Sequence, residues 1–295
     1  MYDVISNILQ QQLCTAHNIK GAKPSSQAVA VWRAAHQLLE QPPVFVDPIA
    51  LPILGDAKTD VIDKLEIHKD PLSSAMRIAI AVRSRFAEDE RKHVQGQIHQ
   101  YVILGAGLDT YAYRNKNLDE RIFEVDLPTT QSMKKVRVEA LAVSPPATLA
   151  YVACNFEKDE LEKSLIAAGF DKNQKAFFSW LGVVPYIDMT AIEQTLQFVG
   201  ECTPGSILIF DYIVHPTNLN PMENKVLNIL SAHLAAGGEP LKSFFDPQQL
   251  AQKLADSGFR KIDDISPDYL NKRYLLARED GLRVGNVTRM FKVIV

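Results

Sequence analysis

The sequence predicts an open α/β fold, a sheet with parallel central strands and helices on its faces. Three observations predict it. YVILGAGLDTYAYR, 101–114, joins an apolar run to a glycine turn and a helix start. RIFEVDLP, 121–128, is a second apolar run that closes on an acid before a proline. The rest of the chain alternates strand-like and helix-like runs, the pattern of an α/β sheet.

Tyr101 to Leu104 have no polar face, as expected of a central parallel strand. Gly105, Ala106 and Gly107 allow a tight turn and a close approach of a ligand to the backbone. Asp109 and Thr110 both suit a helix start. Strand, turn and helix together form the nucleotide-binding corner of such a sheet. Asp126 follows the first glycine by about 20 residues, the spacing at which an acid at the end of the second strand reaches a ribose hydroxyl.

The corner discriminates between nucleotides. A dinucleotide fingerprint wants a third glycine where this chain has Thr110, and a pyrophosphate on the helix N-terminus, where Asp109 would repel it. Asp109 suits the helix dipole and a nearby cation. S-adenosylmethionine carries a ribose, an ammonium and a sulfonium but no phosphate, so the loop favours it over NAD.

LGAGLDTYAYR, then FEVDLP with Lys134 and Lys135 downstream, resemble the leucine carboxyl methyltransferase family, over about Val31 to the C-terminus. That family includes polyketide O-methyltransferases. The resemblance implies a class I methyltransferase fold: a Rossmann-like seven-stranded sheet, mostly parallel with an antiparallel last strand, under an N-terminal helical cap. It implies S-adenosyl-L-methionine as cofactor. AVRSRF resembles the family's Ala-Arg-x-Arg-Phe stretch, whose first arginine binds the methionine carboxylate, and this implies the role for Arg83. A guanidinium fork matches a carboxylate. The family's Glu-Gly-x-x-x-Tyr stretch corresponds to Leu181, Gly182 and Tyr186, with leucine at the acidic position.

Length and composition set bounds. The chain has 295 residues, 46% hydrophobic and 23% charged, an ordinary globular balance with enough chain for a substantial core. A net charge of -3 and a pI near 6.2 argue against a nucleic-acid-binding surface. Cys14, Cys154 and Cys202 are far apart and show neither a disulfide framework nor zinc spacing. The seven histidines, His17, His36, His68, His93, His99, His215 and His233, form no H-E-x-x-H pattern, and no metal is expected. No apolar run is long enough for a membrane span, and the N-terminus has no signal-peptide pattern, so the expected setting is cytoplasmic.

The chain reads as one methyltransferase domain, 1–295, with a helical cap over 1–95, a core over 96–295 and a helical insertion over 214–245. SSQAVAVWRAAHQLLEQPP is helical, with Arg33 read as a solvated or core-edge side chain. Residues 71–94 form a helix in which Met76, Ile80 and Phe86 build an apolar stripe. Its Arg77, Arg83 and Arg85 read as a solvated face, or as groups above the site because the glycine loop comes next. The helix 128–143 carries Lys134, Lys135 and Arg137 on an expected surface.

TLAYVACNF, 148–156, is the third strand; Asn155 and Phe156 at its end are expected to flank the adenine, on the family's pattern. An asparagine at a strand end is more often a turn former, and Asn155 reads that way too. KAFFSWLGVVPYID is the fourth strand and its exit, which makes Trp180 a cofactor wall or a core residue. SILIFDYIV is the fifth strand; a helix follows over 246–259, and RKIDDIS and RMFKVIV are the last two strands.

The predicted function is an S-adenosylmethionine-dependent O-methyltransferase of a small-molecule carboxylate or hydroxyl. Cofactor-binding candidates are Arg83, Gly105, Ala106, Gly107, Asp109, Asp126, Leu127, Asn155, Phe156 and Trp180; Tyr186 and His215 lie on the substrate side. Methyl transfer requires alignment of the acceptor, and orientation supplies much of the rate. A hydroxyl acceptor needs a base and an ionised carboxylate does not. The alternatives are an NAD-dependent oxidoreductase and a cofactor-binding scaffold without turnover.

Overall fold

The computed structural model describes residues 24–63, 69–115 and 119–295. The helical character expected before residue 24, and Cys14, His17 and His68, lie outside these residues. Among the described residues the strands are Gln100–Leu104 (β1), Arg121–Asp126 (β2), Leu149–Ala153 (β3), Ala176–Trp180 (β4), Ile207–Ile213 (β5), Lys261–Ile265 (β6) and Thr288–Ile294 (β7). They form one sheet of order β3-β2-β1-β4-β5-β7-β6. β1 to β5 run parallel, and β7 lies antiparallel between β5 and β6.

The sequence explains this sheet. β1 is buried at every position because it is flanked by strands on both edges and covered on both faces. Its one polar residue, Gln100, exchanges two hydrogen bonds of 2.8 Å with the Asp171 backbone. Period-two alternation sends neighbours to opposite cores. Phe178, Trp180 and Phe210 pack on one face, Phe177, Tyr101 and Ile209 on the other.

The helices are Pro24–Leu39 (α1), Ala57–Asp63 (α2), Pro71–His93 (α3), Tyr111–Arg114 (α4), Pro128–Ala140 (α5), Leu161–Ala167 (α6), Met189–Gly200 (α7), Pro221–Ala236 (α8), Pro247–Asp256 (α9) and Pro267–Tyr274 (α10). Their starts are written in side chains. Asp70 accepts from the Leu72 and Ser73 amides ahead of α3. Asn220 and Glu223 form a capping box on α8. α10 lies between the last two strands and was not expected; the signal was Ser266 before Pro267, where the Ser266 hydroxyl accepts from Tyr269 at 3.2 Å.

Two expected solvated faces are buried. Arg77 is 2% exposed and pairs with Glu40 at 2.7 Å. Glu40 also meets His36 Nδ1 at 2.8 Å, while His36 Nε2 accepts from the Val44 and Phe45 amides, which places the proton on Nδ1. Lys134 is 1% exposed and pairs with Glu124 of β2 at 2.6 Å. In both cases the acid comes from outside the helix, 37 and 10 residues away, so the helix pattern alone does not show it. Arg85 stays on the half-exposed face, paired with Asp89.

Candidate active site

The carboxyl ends of β1, β2, β4 and β5 open into a cavity of about 370 Å³. Gly105 and Gly107 both have positive φ, +70° and +48°. A Cβ on Gly105 would lie 2.2 Å from Val183 Cγ2, so glycine lets the exit of β4 close over the turn. The Gly105 and Ala106 amides donate to the Val125 carbonyl at 2.8 and 3.0 Å. Asp126 completes the loop. Its Oδ2 accepts from the Gly107 amide at 2.6 Å and its Oδ1 from the Leu127 amide at 2.7 Å.

Asp109 lines the cavity at the start of α4 and accepts from the Tyr111 amide at 2.7 Å. Burial would raise its carboxyl, but Arg33, Lys134 and Arg114 outweigh burial and hold it below the usual range. Within the protein, Asp109 pairs with Arg33, 3.3 Å away, which the sequence reads as a solvated or core-edge side chain. Arg33 is 7% exposed and also reaches Asp47 at 2.5 Å, so it is a built part of the wall. Thr110 is fully buried and donates to Asp47 at 2.7 Å while accepting from Arg114 at 2.9 Å.

Arg83 enters from α3. Its Nη1 donates to Asp211 of β5 at 2.7 Å. Asp211 also accepts from the Gly182 amide at 2.6 Å. Neither Asp211 nor the pairing was expected, because 128 residues separate the partners. Leu127, Asn155, Phe156, Leu181 and Tyr186 all line the cavity. Burial, helped by Glu239, pushes the Tyr186 phenol well above its ordinary value, so it keeps its O–H as a hydrogen-bond donor.

Two candidates lie elsewhere. Trp180 is fully buried on the opposite side of β4 from Ser179, against Phe156 and Phe210 at 6.1 and 6.2 Å, and does not line the cavity. Strand parity is the reason: Ser179 takes the cavity side and bonds Tyr101 at 2.9 Å. His215 is exposed and caps the short turn Pro216–Asn218, with Nδ1 2.8 Å from the Thr217 hydroxyl. The chain turns outward after β5 and carries His215 to the surface.

Three helices bring apolar side chains to the cavity wall. Val29 and Trp32 of α1, Met76 and Ile80 of α3, and Leu230 and Leu234 of α8 line it. Glu239, just past α8, accepts from the Ser25 amide at 2.6 Å and from its hydroxyl at 3.1 Å. The insertion is thereby latched to the start of α1, across 214 residues of sequence. Among the described residues, no helix is long and apolar enough to cross a membrane.

Strand order, antiparallel β7 and a glycine-turn cavity at the strand ends define a class I methyltransferase fold. A crystal structure of a candidate methyltransferase from Thermobifida fusca has this fold, with a TM-score of 0.54 at 17% identity over 90% of this chain and 93% of that one. A protein of the DUF574 family from Streptomyces avermitilis gives a TM-score of 0.52 at 12% identity, over 82% of this chain and 94% of that one. The profile of the leucine carboxyl methyltransferase family matches residues 26–200, and the chain belongs to that family.

Among its relatives is Bacillus subtilis YktD, named as a candidate S-adenosyl-L-methionine-dependent methyltransferase. It is 36% identical over 187 residues, 62% of this chain and 61% of YktD. A Frankia alni protein named in the same way is 28% identical over 284 residues, 90% of each chain. The match to YktD thus spans about three fifths of that relative's length.

Proposed function

We propose that the protein is an S-adenosylmethionine-dependent O-methyltransferase of a small molecule, and that the accepting atom is a carboxylate oxygen. The observation that carries this reading is the meeting of the glycine turn, Asp126 and Arg83 in one cavity. The cavity residues suit this cofactor. Gly105, at positive φ, lets Val183 close on the tight turn that lines the cavity, Asp126 presents a carboxylate for a ribose, and Arg83 presents a fork for an amino-acid carboxylate. Asn155 and Phe156 offer a polar handle and a flat apolar wall for a base. A pyrophosphate suits the corner poorly: Asp109 is charged there and the Thr110 hydroxyl is already engaged.

Bound in this cavity, S-adenosylmethionine supplies an electrophilic methyl carbon. The chain's own residues orient the partners and exclude water. The apolar walls from α1, α3 and α8 hold the body of the acceptor, and the Tyr186 phenol donates to an acceptor oxygen. A carboxylate is ionised above about pH 4 and needs no base. Leu181, which lines the wall, removes a negative charge from the surroundings of such an acceptor. On this reading the chain is one methyltransferase unit. The helices before residue 95 cap a core spanning 96–295, and the insertion 214–245 covers the acceptor side.

The test is to incubate the protein with methyl-labelled cofactor and cell extract, then follow the label by mass spectrometry. The expected product is a methyl ester that mild alkali hydrolyses to methanol. The expected rate stays flat from about pH 5 upward. An alkali-stable product contradicts the carboxylate reading, as does a rate that climbs through neutral pH.

A further inference from the structure

We propose that Asp211 is a positioning residue, which pre-sets the Arg83 fork for the carboxylate of the cofactor's amino-acid end and ties that fork to the turn bearing Leu181 and Tyr186. The proposal rests on the S-adenosylmethionine reading of the cavity. Three elements meet at this one carboxylate. From α3, Arg83 Nη1 donates to Oδ2 at 2.7 Å; from the exit of β4, the Gly182 amide donates to Oδ1 at 2.6 Å; β5 carries the acid itself. The Asp211 side chain is 2% exposed and that of Arg83 15%, and both residues line the cavity.

Gly182 sits at φ +70°, and a Cβ there would lie 2.7 Å from Arg83 Nη2. The guanidinium therefore lies against the turn, held on one edge by Asp211. An arginine left to rotate loses side-chain entropy when it grips an anion, whereas one locked beforehand loses little. A carboxylate this buried is destabilising unless it is paired, and Asp211 has its pair in Arg83. The guanidinium has five donors, so engaging Asp211 leaves others for a second carboxylate. Leu181 and Tyr186 flank Gly182 in the same turn and also line the cavity, so the acid that sets the cofactor's anchor also sets the acceptor's wall.

The experiment compares two ligands by calorimetry. S-adenosylhomocysteine has the amino-acid carboxylate; 5′-methylthioadenosine lacks it and keeps the adenosine. Asp211→Asn still accepts from the Gly182 amide but does not hold the guanidinium by charge. The expected result is a tenfold to hundredfold loss for S-adenosylhomocysteine, the scale of a charged hydrogen bond, with methylthioadenosine unchanged. In an Arg83→Ala background Asp211→Asn should add nothing. Should Asp211→Asn not fold, Asp211→Ser must give the same contrast. Equal weakening of both ligands, or unaltered binding of S-adenosylhomocysteine, overturns the proposal. Wild-type protein that binds neither ligand refutes the underlying cofactor reading instead.

Discussion

On the proposed reading, Asp126 serves local structure and ligand at once. Its spacing from Gly105 made it legible as a ribose partner, since an acid ending the second strand has few other places to point. The sequence did not show that both its oxygens already take loop amides, from Gly107 and Leu127. Asp126→Ala is therefore predicted to weaken cofactor binding by about 1.5–3 kcal/mol and also to lower the melting temperature of the free protein. Calorimetry and a thermal melt check the two parts; unchanged affinity contradicts the ribose role. Arg83 was legible through its motif, but Asp211, Arg33 and Glu239 were not. Each is defined by a partner far away in sequence: Arg83, Asp109 and Ser25. Trp180 and His215 stay off the cavity for a simpler reason. Nearness to a strand end does not give the face, and parity sends Trp180 to the core while the turn after β5 sends His215 to solvent.

At the scale of elements, β2 and α5 share the buried pair of Glu124 and Lys134. Lysines spaced along a helix read as a solvated face, and nothing in α5 itself reveals the acid beneath Lys134. Burial pushes the Glu124 carboxyl up from 4.5 to about 7, against the pull of Lys134, with Asp109 and Asp126 adding to the rise. The folded protein thus holds this proton more tightly than the unfolded chain does. The stability the proton confers is present in full below pH 4.5 and is lost as pH rises through about 7. A melting-temperature series should show this fall, on the order of a few degrees, on top of the protein's other titrations. Glu124→Gln, which is neutral at every pH, should remove that component of the pH dependence. Identical pH profiles for the two proteins contradict the assignment. α10 is not legible in the sequence because Ser266-Pro267 reads as a turn as readily as a helix start.

On the scale of the whole molecule, the sheet was the most legible part. An all-apolar β1, an acid-ended β2 and regular alternation leave few topologies, and right-handed crossovers prune those further. The cavity was legible where one loop builds it and obscure where α1, α3 and α8 converge from distant parts of the chain. The central claim is that this cavity is built for a phosphate-free nucleoside carrying an amino acid. Calorimetric titration of the wild-type protein with S-adenosylhomocysteine, set beside the same titration with NAD, tests that claim most directly. Saturable binding of S-adenosylhomocysteine at one site per chain is expected, with no heat of binding for NAD. Binding of NAD with none of S-adenosylhomocysteine would contradict it.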